Sequence, residues 1–239
     1  RSAPIGITVE GSNTLTKNLI IFGQGLNKSH PYIFPVFESI LDNDEKKFKK
    51  YFKKIVAHSL LLYVKSLNPF YFNHKRLEKQ TINFACLSNF VALYGGKIKS
   101  EQYLSGDMAD IFSNLYLAYS VKWYEDNFNI SKVLSDFCIN KLLNENKILI
   151  NRVIENYNYK ILLNHMKYRI NYDLYEDRSL LINEIINNKK IINDIKNDIY
   201  IKNSILEDLD KLNILEGEEY NRLYNKIIQV DEFDIKPIN

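Results

Sequence analysis

Ser105-Gly106-Asp107-Met108-Ala109-Asp110-Ile111-Phe112-Ser113-Asn114-Leu115-Tyr116-Leu117-Ala118-Tyr119 is the stretch that settles the fold class. Met108, Ile111, Phe112, Leu115, Tyr116, Ala118 and Tyr119 recur at three- and four-residue spacing, which lines one broad face of an α-helix. The pattern predicts a helix opened by Ser105 and running to about Glu125.

The same period returns on both sides. Upstream, Asn13 can cap a helix over about 14–23 with Leu15, Leu19 and Phe22 on one face, ended by Gly23 and Gly25. Ser29 and Pro31 start another, since proline suits the first helical position. Asp44 can cap a long helix carrying Phe48, Phe52, Ile55 and Val56. Leu77, Ile82, Ala85, Cys86, Asn89 and Leu93 mark a helix over 75–94, stopped by Gly95-Gly96. Downstream, helices are expected at about 131–146, 147–170 and 178–213, the last in two or three pieces, and at 218–230 after a turn at Gly217. The segment 183–203 is rich in Ile, Asn, Lys and Asp, but its Ile spacing still reads as helix.

Composition agrees. A chain of 239 residues can bury roughly 70% of its unfolded surface, and 46% hydrophobic with 26% charged residues fits a globular chain. The 5 prolines (Pro4, Pro31, Pro35, Pro69 and Pro237) leave none between residues 70 and 236. After Gly106 the next glycine is Gly217. A many-stranded sandwich or barrel needs turns far more often, so the expected fold is an all-α helical bundle.

Several function classes are set aside on the same grounds. Cys86 and Cys138 lie far apart in helical patterns, which gives no disulfide framework and no cysteine-based zinc site. A reducing, cytoplasmic setting follows as the expectation. The net charge of +3 is too small to imply a nucleic-acid partner. His30, His58, His74 and His165 lack metal-ligand spacing, so no metal site is expected. No P-loop, Ser-centred elbow or paired-carboxylate motif is present. The first residues, 1–8, are not a secretory signal, and the longest apolar run, 55–64, falls far short of the roughly 20 residues that cross a bilayer.

One stretch could carry chemistry: Ile7-Thr8-Val9-Glu10-Gly11-Ser12-Asn13-Thr14-Leu15-Thr16. It is a carboxylate in a loop, then glycine, then hydroxyls at the expected start of a helix. A glutamate in apolar surroundings has its charged form disfavoured, which moves it towards the range of a general base. Gly11 permits close backbone approach to a ligand. The free N–H groups of the helix start suit an anionic or polar group. A glutamate ahead of a helix also serves simply to complement the helix dipole, and spacing alone leaves both readings open.

The segment Arg1 to Thr16, continuing through Ile20-Ile21-Phe22-Gly23-Gln24-Gly25 to His30-Pro31-Tyr32, resembles the C-terminal part of the large bacterial acyl-CoA dehydrogenases. Similar features recur at Leu87-Ser88, Gly95-Gly96, Lys99, Glu101, Ser105, Asp110-Ile111, Ser113 and Leu115-Tyr116-Leu117-Ala118. They recur again in the tail from Gly217-Glu218-Glu219 to Val230-Asp231-Glu232-Phe233-Asp234. Between about Leu142 and Lys202 nothing of the family is recognisable.

The resemblance implies that residues 1–28 are the end of the catalytic helical domain and 29–239 an accessory C-terminal helical region. It places Glu10 at the position of the base that removes the α-proton of a fatty acyl-CoA thioester. In the family the β-hydrogen leaves as hydride to flavin N5. Gly11 would lie beside the thioester, and Ser12 and Thr14 match positions that contact FAD. Thr14 departs from the Gln common in shorter members. The implied activity is FAD-dependent α,β-dehydrogenation in fatty-acid β-oxidation. The implied partners are the family's N-terminal flavin-binding domains, an electron-transfer flavoprotein and further copies in a homo-oligomer. The chain begins with Arg, not Met, and is expected to be the C-terminal portion of something longer, inactive alone.

Lys46, Lys47, Lys49, Lys50, Lys53 and Lys54, interleaved with Phe48, Tyr51 and Phe52, read as the solvated face of a packed helix. They also suit an anionic surface, which gives the expectation of peripheral contact with the inner membrane. The rival to the enzyme is therefore a non-catalytic interaction or membrane-docking fragment.

Overall fold

A computed structural model describes residues 17, 22–25, 28, 30–67, 76–128, 130–170, 175–197 and 204–228. Glu10, Gly11, Ser12 and Thr14, and the helix expected over 14–23 apart from Lys17, Phe22 and Gly23, lie outside these residues. Among the described residues every regular element is helical, as expected for an all-α chain.

The order is α1 (Ile33–Leu41), α2 (Glu45–Leu67), α3 (Arg76–Ala92), a 3₁₀ turn (Gly95–Lys99), α4 (Gln102–Asn127), α5 (Lys132–Glu155), a short α6 (Lys160–Leu163) running into a 3₁₀ turn (Asn164–Met166), α7 (Tyr175–Asn187), α8 (Lys189–Asn197), α9 (Ile205–Leu212) and α10 (Gly217–Ile228). The chain divides into two compact units, one ending at Glu184 and the other beginning at Ile185.

In the first unit, α1 and α2 pair across a tight turn. Asn43 adopts a left-handed φ of +52° there, a conformation that Asn tolerates better than most residues. Asp44 caps α2 as expected: its Oδ1 accepts the Lys47 N–H at 2.9 Å. Gly95, with φ +53°, turns the chain after α3, where a Cβ would strain the backbone. The centre is the α4–α5 pair with α3 across it. Leu87 and Val91 of α3, Met108 and Ile111 of α4, Ile150 and Ile154 of α5, and Leu163 and Met166 beyond it are all fully buried. Each such side chain contributes about 1.5–3 kcal/mol relative to leaving it in water.

Two local expectations are corrected. Helix α4 starts at Gln102, not Ser105. Ser105 is already inside the helix, buried, and its hydroxyl donates to the Gln102 carbonyl at 3.2 Å. Residues 132–155 form one helix, not two broken near 146. Asn146 is not a loop residue: fully buried, its Nδ2 donates to the Ile111 carbonyl at 3.4 Å. Its Oδ1 accepts from Asn114 at 3.1 Å.

Asn146 is one of several buried amides that bridge helices. Gln80 Nε2 donates to the Leu143 carbonyl at 2.8 Å, and Asn83 Nδ2 donates to the Tyr168 hydroxyl at 2.7 Å. Asn151 holds the Tyr168 backbone at both ends, donating to its carbonyl at 2.8 Å and accepting its N–H at 2.9 Å. This clasp folds residues 167–170 back onto α5. In the second unit, α9 and α10 pair with each other. Gly217, with φ +64°, opens α10 at the expected turn.

Candidate functional site

The nearest described neighbours of the Glu10 segment are Lys17 and residues 22–25, and they are attached to the first unit at two points. Lys17 Nζ lies 2.6 Å from Asp110 Oδ2 on α4, across 93 residues of sequence. Phe22 is 3% exposed and belongs to the same core cluster as Met108, Ile111 and Ile150. Its place on the apolar face with Leu15 and Leu19 foretold burial; the partner of Lys17 had no signal in the sequence.

Asp110 stands one helical turn from Asp107, whose carboxylate is taken by Arg152 of α5. Arg152 Nε donates to Asp107 Oδ2 at 2.6 Å and Nη2 to Oδ1, a bidentate pair. The Asp107 carboxylate holds the guanidinium above its ordinary pKa. Asp107 is thus held by α5, while Asp110 pairs with Lys17 and also acts on the Arg152 charge.

A cleft of about 780 Å³ opens between the start of α3, the second half of α4 and the first half of α5, lined among others by Arg76, Tyr119, Lys122, Trp123 and Asp136. Its cations are already engaged. Lys122 Nζ pairs with Asp126 at 2.7 Å and Glu125 at 3.3 Å, and Arg76 donates to Asn140 at 3.4 Å. Lys122 is thus neutralised by carboxylates, whereas Arg76 keeps its charge, since a neutral amide accepts a hydrogen bond without cancelling it.

Of the lysine run on α2, Lys47 pairs with Glu38 and Asp42 at 3.4 and 3.5 Å, and Lys49 with Glu45 at 2.5 Å. Lys54 lies 5.5 Å from the centre of the Tyr32 ring, a cation–π distance. Lys50 lies 5.7 Å from the centre of the Tyr51 ring, so four of the six lysines have local partners.

The described histidines fall into two groups that the spacing did not reveal. His30 and His58 meet edge to face with ring centres 5.3 Å apart. His30 Nδ1 accepts the Tyr32 N–H at 3.2 Å. Burial, and then the charge of His58, hold the His30 pKa below the ordinary value. His165 Nε2 lies 2.8 Å from Ser66 Oγ, and Ser66 also donates to the Tyr63 carbonyl at 2.6 Å. Cys86 shares this neighbourhood through a hydrogen bond to Ser66. Burial outweighs that bond and pushes the thiol up to about 11. A thiol so held stays protonated at neutral pH, so Cys86, Ser66 and His165 form a packing group and not a nucleophile with its base. Among the described residues no group of three or more His, Cys, Asp or Glu side chains is placed to hold a metal ion. No described helix is long and apolar enough to cross a membrane.

The helical first unit, centred on α3 to α5, matches the family described as acyl-CoA dehydrogenase, C-terminal, bacterial type, over residues 27–172. The chain belongs to that family. No solved structure matches it.

Proposed function

We propose that this chain supplies the α-proton-abstracting base and the accessory helices of an FAD-dependent acyl-CoA dehydrogenase acting on fatty acyl-CoA in β-oxidation. The observation that carries the reading is the family match from residue 27, together with the Glu10-Gly11-Ser12 segment just ahead of it. The boundary at residue 28 then separates the end of the catalytic domain, 1–28, from the accessory region, 29–239.

In this reading Glu10 takes the α-proton of the thioester. A carboxylate is suited to the step when it is presented at close range in a dry site, where high effective concentration and a raised pKa act together. Gly11 admits the thioester close to the backbone, whose N–H groups stabilise the charge developing on the thioester oxygen. Ser12 and Thr14 contact FAD. FAD, when bound, accepts the β-hydrogen as hydride. In this reading the bulk of the FAD and acyl-CoA contacts falls to the family's other domains.

Exposed apolar faces support such association. Phe34, Phe37, Ile40 and Leu41 of α1 and Leu60, Leu61 and Val64 of α2 stay in solvent in the chain alone. The flavin-binding domains, an electron-transfer flavoprotein and further copies of the enzyme are the proposed partners, in a cytoplasmic setting. The lysines of α2 favour the second reading, a membrane-docking role.

The test is Glu10→Gln in the polypeptide joined to its flavin domains. Turnover of a long-chain acyl-CoA is lost while bound FAD, read by its visible spectrum, is retained. Near-normal turnover would rule Glu10 out as the base.

A further inference from the structure

We infer that the cleft between α3, α4 and α5 is a binding site for a small monoanion with a flat apolar body, its acid group on Arg76 and its body against Tyr119 and Trp123. The inference is independent of the proposed role of Glu10.

The cleft has the volume for such a ligand: its 780 Å³ falls within the roughly 300–1,000 Å³ of small-molecule sites. Leu77, Ile139 and Leu143 give it an apolar lining. Tyr119 and Trp123, one turn apart on α4, are 42% and 59% exposed there. Both rings are held in place. The Tyr119 hydroxyl lies 3.2 Å from Thr81 Oγ1, and Trp123 meets Phe128 edge to face with ring centres 5.9 Å apart. Aromatic side chains already fixed in a concavity offer a flat ligand contact at little ordering cost.

Charge sets the class of ligand. Arg76 donates to the neutral amide of Asn140 and has no carboxylate partner among the described residues. Its remaining guanidinium N–H groups can take both oxygens of a carboxylate. Lys147 registers the uncancelled charge. Its Nζ donates to the Asn144 amide oxygen at 2.6 Å, and its pKa is lowered by burial first and then by Arg76. Carboxylates line the rest of the cleft. Asp126 shares Lys122 with Glu125, and Asp136 has no cation partner among the described residues. One uncommitted cation thus stands among several acids. A second negative charge on the ligand would meet Asp136 and Asp126 without compensation, so the site accepts a monoanion and opposes a dianion.

The chain contains one tryptophan, so the indole N–H signal in a proton–nitrogen NMR spectrum of the full chain reports on the cleft. The probes are naphthoate, its neutral amide and the naphthalenedicarboxylate dianion, which share one flat body and differ in charge. Naphthoate should shift the indole signal saturably, with the amide and the dianion each binding roughly tenfold more weakly. Arg76→Gln should weaken naphthoate roughly tenfold and leave the amide unchanged, and Arg76→Lys should recover part of the loss. Asp136→Asn should tighten the dianion more than the amide. Arg76 and Asp136 are exposed, so these variants should keep the wild-type melting temperature. Absence of a saturable shift with naphthoate would overturn the inference. Equal binding of naphthoate and its amide would do the same, by reducing the cleft to an apolar patch, as would naphthoate binding unchanged in Arg76→Gln. A dianion bound as tightly as naphthoate would overturn the choice of a monoanion.

Discussion

In α3, α4 and α5 much of the apolar stripes is consumed, although Phe112, Tyr116 and Tyr119 of the α4 stripe stay exposed. Leu87, Val91, Met108, Ile111, Ile150 and Ile154 meet one another in a closed core. In α9 and α10 they are not. Neither helix buries a residue, and Ile205, Leu206, Leu209 and Ile228 stay in solvent. Surface ion pairs serve this pair: Lys226 of α10 with Asp208 of α9 at 3.1 Å, and within α9 Lys211 with Glu207 at 2.9 Å. Such pairs contribute about 0–1 kcal/mol each. Helical periodicity is equally clear in both regions, so amphipathicity alone does not reveal which helices will find a partner. The region matched to the family, 27–172, lies within the first unit.

The contrast can be broken at its strong end. Leu87→Ala should cost about 2–5 kcal/mol, as for other fully buried large-to-small changes, whereas Leu209→Ala should stay within about 0.5 kcal/mol, as for most surface substitutions. Urea unfolding followed by circular dichroism measures both, and equal effects would erase the distinction. A smaller effect separates polar from apolar burial. Asn146→Leu strands Asn114 Nδ2, and should cost about 1–3 kcal/mol despite its greater hydrophobicity. Unchanged stability would show that these bonds add nothing to the core.

The smallest effect is one of pH. Burial is the first cause holding both His30 and His165 below the ordinary value of 6.5. As pH falls, the unfolded chain therefore binds protons before the folded one. Their contribution is complete above about 6.5 and is lost as pH falls through that value towards the folded pKa values. Thermal melts of the first unit's signal should fall in temperature between pH 7 and pH 5, and the fall should be shallower in His30→Gln/His165→Gln. An identical slope would place the dependence on other groups.

The sequence showed the broad fold because local rules decided it. Asp44 caps, Gly95 and Gly217 turn, and the 108–119 stripe forms a helix wherever its partners lie. It misled at Asn146, where one helix was expected to end and the next to begin; the amide instead finds a carbonyl 35 residues away. It was silent on Lys17 with Asp110 and on Ser66 with His165, because a contact between residues more than 90 apart leaves no trace in spacing. Glu10 was singled out for a different reason, that its neighbours form a motif, and it lies outside the described residues.

The buried amides also limit the ways in which the bundle could assemble. A seam made of leucine and isoleucine alone accepts slippage by a turn, since one apolar contact resembles another. Gln80 against Leu143 and Asn146 against Ile111 do not, because a one-turn shift would leave each amide facing hydrocarbon. The helices consequently have one address relative to one another. Lys17, fastened to α4 through Asp110, inherits that address.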